Sequence, residues 1–128
     1  MLLDTHAWIW WSDDPSRLSP AARDAIESAE SVGVAAISCW EVGMLALGGR
    51  LTLDRDVGRW VQQALARPGL EALSLTPKVA LAAALLERDG FAPDPADRFI
   101  YATAREAGAK LVTRDARIRE FDPRGTLW

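Results

Sequence analysis

The chain has 128 residues, of which 49% are hydrophobic and 26% are charged, and its formal net charge at pH 7 is −3. These values indicate one globular domain over residues 1–128. Cys39 is the only cysteine and His6 the only histidine, which excludes an internal disulfide and argues against a zinc site. No apolar run is long enough to span a membrane and no signal peptide precedes the first strand, so we expect a cytoplasmic protein without membrane contact.

Short apolar runs alternate with amphipathic runs along the chain. Ser19-Pro20 and Thr76-Pro77 each match a helix N-cap followed by proline, and Ser38 to Glu41 matches the S-x-x-E capping box. In chain order we predict a strand at 1–3, helices at 5–11 and 20–30, a strand at 32–37, helices at 38–47 and 57–65, a strand at 70–75, helices at 78–87 and 95–107, a strand at 110–113, a short helix from 115 and an edge strand at 126–128.

This alternation predicts the α/β class, with a parallel sheet of four to five strands and right-handed crossovers. The helix at 78–87 is apolar on nearly every side, which predicts that it is buried. Trp40 and Trp60 fall within helices and are interpreted as packing residues. Taken together, the large apolar residues on short elements, Trp40 included, exceed what one small core can hide, which favours a protein partner and a homodimer. These residues are Trp8, Trp10, Trp11, Trp40, Met44, Leu45 and Leu47.

Four acids occupy equivalent positions at strand ends. Asp4 follows the first strand, Glu41 lies in the first turn after the second, Asp97 begins the helix before the fourth, and Asp115 follows the fourth. Each also has a structural interpretation, because Asp caps helices and Glu41 would be the last residue of the capping box. Likewise, Asp97 would follow an Asp94 cap.

Those separate interpretations do not explain why the four acids should meet at one edge of the sheet. Ligand sites in parallel sheets lie beyond the carboxyl ends of the strands. Crowded carboxylates raise one another's pKa and destabilise the fold unless a cation lies among them. With carboxylate ligands that cation would be Mg²⁺ or Mn²⁺, and the arrangement is the one required for metal-assisted phosphodiester cleavage.

The segments MLLDTHAWIW, AISCWEVGMLALGGRL, DPADRFIYATA and LVTRD, taken in this order, resemble the PIN-domain family and its VapC-type toxins. The resemblance covers the whole chain. It implies a three-layer α/β/α sandwich and an endoribonuclease that depends on Mg²⁺ or Mn²⁺. It also implies RNA as the substrate and inhibition by a small VapB-type antitoxin.

Carried over residue by residue, the resemblance assigns Asp4, Glu41 and Asp97 as the core catalytic and metal-binding acids and Asp115 as a fourth, more variable one. It assigns supporting hydroxyls to Thr5, Ser38 and Thr113. The chain departs from the closest subgroup before and after the Asp94-Pro95 dipeptide, because Ala92-Pro93 replaces His-Arg and Ala96 replaces Phe. Asp94 is expected to cap a helix, and Arg98 is either a phosphate contact or an exposed structural residue.

Two other α/β enzyme classes also place an aspartate after a strand. A haloacid-dehalogenase-like phosphatase needs a second aspartate two residues after the first, and His6 stands there instead. A phospho-accepting receiver domain needs a lysine after its last strand, whereas Lys110 precedes a strand. Both features count against these classes. The alternative to a nuclease is a non-catalytic or phosphatase-like α/β domain with an acidic metal site.

Overall fold

The computed structural model describes residues 1–128 and contains five strands and seven α-helices. Single 3-10 turns cover Pro15–Arg17 and Leu86–Asp89. The elements in chain order are β1 Leu2–Leu3, α1 Thr5–Asp13, α2 Pro20–Ser28, β2 Val32–Ala35, α3 Ala36–Leu47, α4 Val57–Leu65, β3 Leu70–Leu73, α5 Pro77–Leu85, α6 Pro95–Glu106, β4 Leu111–Val112, α7 Ala116–Phe121 and β5 Thr126–Leu127.

All five strands run parallel in one sheet with the order β3-β2-β1-β4-β5. The chain builds outward from β1 to β3, then crosses to the other side of β1 and continues with β4 and β5. The strand order therefore reverses between β1 and β4, and such a switch point opens a crevice at the carboxyl edge of the sheet. This crevice is where residues that follow β1 and β4, Asp4 and Thr113 among them, come together.

Helices cover both faces of the sheet, because the strands are buried on both sides and alternate residues point to opposite layers. Leu3, Val34 and Val112 face the layer that contains α1, α2 and α4, whose centre is Trp8 beside Trp60. Leu2 and Leu111 face the layer that contains α6 and α7. The predicted α/β/α sandwich with a parallel sheet of four to five strands is confirmed.

The prediction that the apolar helix at 78–87 is buried is wrong. Only Val79 and Ala83 of α5 are buried, against Ala102 of α6, while Leu81 is 62% exposed. Because α5 packs on α6 rather than directly on the sheet, one narrow stripe of buried residues is enough to form the contact. No helix is both long and apolar enough to cross a membrane.

The start of α3 also differs from the prediction. β2 ends at Ala35 and α3 begins at Ala36, so Ser38 lies inside the first turn and forms no cap. The capping-box interpretation of Ser38 and Glu41 is therefore wrong, since Ser38 is fully buried and Glu41 lies in the middle of the helix. Trp40 is 56% exposed, so its interpretation as a packing residue is wrong as well.

Candidate active site

Three carboxylates meet at the switch-point crevice. Asp4 follows β1, Glu41 lies on α3 and Asp97 lies in the first turn of α6. One oxygen from each of the three lies within 4.8 Å of the others, and all three side chains are half-buried. We call this set the acidic triad. Its members come from three different crossover units, so only the sheet topology brings them together.

Asp4 is fixed by bonds to both of its carboxylate oxygens. Oδ1 accepts a hydrogen bond from the Thr5 backbone N–H at 2.7 Å, which makes Asp4 the N-cap of α1. Oδ2 accepts a bond from the Thr113 hydroxyl at 2.6 Å, across the β1–β4 junction. Asp4 is therefore both a helix cap and a member of the acidic triad.

A buried pair of hydroxyls positions Glu41. Thr5 Oγ1 hydrogen-bonds Glu41 Oε1 and lies 3.0 Å from Ser38 Oγ. A hydroxyl has a single proton, and a carboxylate can only accept, so the Thr5 proton goes to Glu41 and Ser38 donates to Thr5. Thr5, Ser38 and Thr113 are all fully buried, and every one of them bonds to the triad or to a residue that does.

The surroundings of the acidic triad disfavour its charged form. Burial raises the pKa of Asp97 to about 7, and the neighbouring charges of Asp4, Glu41, Asp115 and Asp94 contribute to that rise. Burial also raises the pKa of Asp4 and of Glu41, although hydrogen bonds from Thr113 and Thr5 act in the opposite direction. The free protein therefore holds negative charge at this edge at a cost in stability.

Asp115 and Asp94 lie in the same cleft but outside the acidic triad. Asp115 caps α7, since its Oδ1 accepts bonds from the backbone N–H groups of Arg117 and Ile118. Its charge still raises the pKa of Asp97. Asp94 occupies the N-cap position of α6 without forming a side-chain cap bond, so its exposed carboxylate is free to face the cleft.

The triad opens into a cleft of about 640 Å³ that carries charges of both signs. It is lined by Asp4, His6, Trp10, Arg17, Glu41, Leu45, Arg50, Asp94, Asp97, Arg114 and Asp115. The protein has four ion pairs, and none of them involves an arginine or an acid of this cleft. Acids and arginines are thus held apart, which leaves room for a cation beside the acids and an anion beside the arginines.

Arg98 lies elsewhere. Its guanidinium pairs with Glu87 at 3.4 Å and borders a small hollow between α5 and α6, with Ala83 and Phe99. This position agrees with the structural interpretation of Arg98 and not with the phosphate contact. In the departing segment, Pro93 and Ala96 are buried, so these two replacements serve packing at the start of α6.

The sequence analysis did not identify the three arginines of the cleft. Arg114 lies two residues after the end of β4 and directly precedes Asp115, so its position near a strand end was a usable signal. Arg17 comes from the 3-10 turn after α1, where no motif marks it. Arg50 comes from the loop after α3, within the segment AISCWEVGMLALGGRL that resembles the family, but no role was assigned to it. Their convergence depends on how distant segments pack.

The donor set of the triad fits a hard divalent cation. Three carboxylates provide oxygen ligands only, and magnesium and manganese prefer such ligands, whereas zinc sites favour nitrogen and sulphur. No protein cation is paired with the triad, so a bound ion would offset the burial and the crowding that raise the three pKa values. Asp4, Glu41 and Asp97 are the residues that would hold it.

The fold and site together define a parallel α/β domain with three clustered carboxylates at the switch point of its sheet. The chain belongs to the PIN-domain family, since the family profile "PIN domain" matches residues 1–123. It is 46% identical to "Ribonuclease VapC22" of Mycobacterium tuberculosis, over all of this chain and 98% of that protein.

Two solved structures share the fold. One is a "Toxin-antitoxin complex from Klebsiella pneumoniae", with a TM-score of 0.68, 19% identity, and coverage of 99% of this chain and 95% of the other. The second is VapBC2 from Rickettsia felis bound to a DNA fragment from its promoter, with a TM-score of 0.67, 15% identity, and coverage of 94% and 92%. At these identities the likeness establishes the fold alone.

Proposed function

We propose that the protein is a divalent-metal-dependent endoribonuclease, using Mg²⁺ or Mn²⁺, and the toxin of a toxin–antitoxin pair. The observation that carries this proposal is the acidic triad, in which oxygens from three separate crossover units lie within 4.8 Å of one another without a protein cation among them. The full-length similarity to a protein named as a ribonuclease supports RNA as the substrate. We expect the activity in the cytoplasm, where such a substrate is found.

The chain's own residues have distinct tasks in this reaction. A divalent ion bound by the triad would acidify a coordinated water and offset charge on the phosphate. Asp4 and Glu41 are held by buried hydroxyls, so their oxygens keep a fixed orientation toward the ion. Burial and the neighbouring acids raise the pKa of Asp97 to about 7, and a cation held by the triad would favour its charged form. Asp115, a cap at the edge of the cleft, adds negative charge on the outer side.

The test is RNA cleavage with a matched inactive variant. We expect purified protein to cleave total RNA in Mg²⁺ and not in EDTA, with discrete ends found by mapping. Glu41→Gln keeps the shape of the side chain and its bond to Thr5 but removes the charge. Since Glu41 lies in mid-helix and not in a cap, we expect this variant to fold normally and to lose cleavage. Full activity of Glu41→Gln, or cleavage that persists in EDTA, would contradict the proposal.

We further propose that a small antitoxin binds the exposed face of α3. Trp40, Met44 and Leu47 are spaced i, i+4, i+7 on that helix and are 56%, 49% and 83% exposed. Trp8 and Trp10 are buried, so the exposed apolar face contains fewer residues than the sequence predicted. Glu41 and Leu45 of the same helix line the acidic cleft. An amphipathic helix with a basic residue at its end would match both the apolar face and the acids.

Co-expression with the product of the adjacent small gene tests this partner. We expect a stable complex with reduced RNA cleavage, and we expect Trp40→Glu to abolish the complex while leaving cleavage by the free protein intact. A homodimer, which the excess of large apolar residues predicts, is tested on the isolated protein by light scattering. A Trp40→Glu variant that turns a dimer into a monomer yet still binds the antitoxin would assign the α3 face to a second copy instead.

A further inference from the structure

One part of the cleft has no role in the proposed chemistry of the triad. Trp10 is 7% exposed, and its ring forms a fixed platform at the end of the cleft. The guanidinium carbon of Arg17 lies 4.6 Å from the centroid of this ring, and that of Arg114 lies 5.9 Å from it. Arg17 belongs to the turn after α1 and Arg114 follows β4, so two distant segments bring cations to the same aromatic ring.

Apart from the contact with Trp10, neither guanidinium has a partner of its own within the protein. Both side chains are exposed, and neither forms an ion pair although five carboxylates line the same cleft. Stacking on Trp10 holds a guanidinium in place and leaves its N–H groups free to bind an anion. Arginine in this setting favours phosphate, which accepts two parallel hydrogen bonds from one guanidinium.

The position of the ring indicates which phosphate is bound. Trp10 is six residues beyond Asp4, the N-cap of α1, so the backbone positions of the two residues are about 9 Å apart along the helix axis. A phosphate held there is displaced from the acidic triad and so lies next to the scissile phosphate in the RNA backbone. The acids also repel RNA, and a pair of cations at this distance offsets that repulsion without filling the metal site.

We infer that Arg17 and Arg114, positioned by Trp10, form an arginine pair that binds a non-scissile phosphate of single-stranded RNA and holds the backbone against the acidic triad. This inference rests on the proposed ribonuclease function. The pair recognises the backbone and not the bases, so it contributes affinity and orientation rather than sequence preference.

Binding measurements on an inactive protein test the pair directly. In an Asp97→Asn background with Mg²⁺, fluorescence anisotropy would report binding of labelled oligouridylate and oligoadenylate. We expect Arg17→Ala and Arg114→Ala each to weaken binding roughly tenfold, equally for both oligonucleotides. The slope of log affinity against log salt concentration should fall in magnitude by about 0.7 for each phosphate that a variant no longer neutralises. Arg17→Lys keeps the charge and should keep the slope.

Arg124→Ala is the matched control, because Arg124 is exposed and precedes β5 at the opposite edge of the sheet. It should change neither affinity nor slope. Equal melting temperatures of the variants would exclude a merely structural role. If the parent binds RNA and the Arg17 and Arg114 variants bind it equally well, the arginine pair is refuted while the proposed function stands. A parent that binds neither oligonucleotide would refute the RNA substrate and the pair together.

Discussion

Two aspartates beside α6 lie in partly buried surroundings, with opposite results: Asp97 belongs to its first turn, and Asp122 follows α7 and bonds to Tyr101 of α6. At the start of the helix, burial and four neighbouring acids raise the pKa of Asp97 to about 7. Next to the last turn, burial alone would raise the pKa of Asp122, but bonds from Tyr101 and Gly125 and the charge of Arg105 lower it. Tyr101 Oη lies 2.8 Å from Asp122 and the Gly125 N–H 2.9 Å from it.

The difference is that the protein itself supplies hydrogen-bond donors and a positive charge to Asp122 but supplies no positive charge to Asp97. Asp122 ties α6 to the turn before β5 and has all the partners it needs. Asp97 has no protein cation, and its neighbours oppose its charge. Since a carboxylate of this kind destabilises the free fold, its presence points to something outside the chain that binds it.

The sharpest test exchanges the two aspartates for asparagine in parallel. Asp97→Asn removes a triad charge, and metal ions contribute several kcal/mol of transition-state stabilisation, so we expect RNA cleavage to fall by roughly a thousandfold. Asp122→Asn should leave cleavage within about twofold of the unaltered protein, because it is remote from the cleft. Single-turnover cleavage rates of the two variants measure this, and comparable losses in both would break the comparison.

A smaller loss is expected from the residues that orient the triad. Thr113→Val keeps the shape of a fully buried side chain but removes the hydroxyl that bonds Asp4. Partners of metal ligands typically contribute about 10–100-fold, so we expect a loss of activity of that order and a higher Mg²⁺ concentration at half-maximal rate. Thr126→Val, also buried but bonded only to the Asp122 carbonyl, is the control. A normal Mg²⁺ dependence of Thr113→Val would show that Thr113 does not position Asp4.

The stability effects should run in the reverse order. Asp122→Asn weakens hydrogen bonds from Tyr101 and Gly125, which should lower the free energy of unfolding by about 1–2 kcal/mol. The Arg105 pair adds little to that loss because its side chain is 63% exposed. Asp97→Asn removes crowded charge and should raise the melting temperature in EDTA by a few degrees. Differential scanning calorimetry of both variants without metal measures whether each melting temperature rises or falls. Destabilisation by Asp97→Asn would contradict our account of the triad.

The smallest expected effect is on the pH dependence of stability. The pKa of Asp97 in the folded protein exceeds its ordinary value of 3.8. Its contribution to the free energy of unfolding is therefore fully present below about pH 4 and is lost as pH rises toward about 7. Asp4 and Glu41 shift in the same direction. The pKa of Asp122 is lowered, so its contribution is lost only in acid. In EDTA the melting temperature should therefore fall by a few degrees between about pH 5 and pH 8.

Excess Mg²⁺ should reduce that fall, since an ion that binds the ionised triad stabilises the folded state most at high pH. Asp97→Asn should reduce the dependence of the melting temperature on pH in EDTA and should lose most of its increase on addition of Mg²⁺. Melting curves of the two proteins at matched ionic strength separate specific binding from general screening, for which Na⁺ is the control. A melting temperature that rises across the same pH interval in EDTA would show that the triad is not crowded in the free protein.

The sequence determined the alternation of strands and helices, because apolar runs and helical periodicity are local properties of the chain. It also identified the acids at strand ends, since parallel strands bring their carboxyl ends to one edge. The α/β/α class followed from that alternation together with the family resemblance. Local patterns were less reliable at boundaries: Ser38 and Glu41 matched a capping box, yet burial of Ser38 against Thr5 favours a helix that begins two residues earlier.

Only the tertiary structure decided how the polar groups are grouped. It put Asp4, Glu41 and Asp97 within 4.8 Å of one another and left Asp115 as a cap at the edge of the cleft. It directed Arg98 to Glu87, and it brought Arg17 and Arg114 to Trp10. These distances join residues as much as 109 positions apart, such as Asp4 and Thr113. The packing of both helical layers on the sheet sets them, and no local pattern of residues encodes that packing.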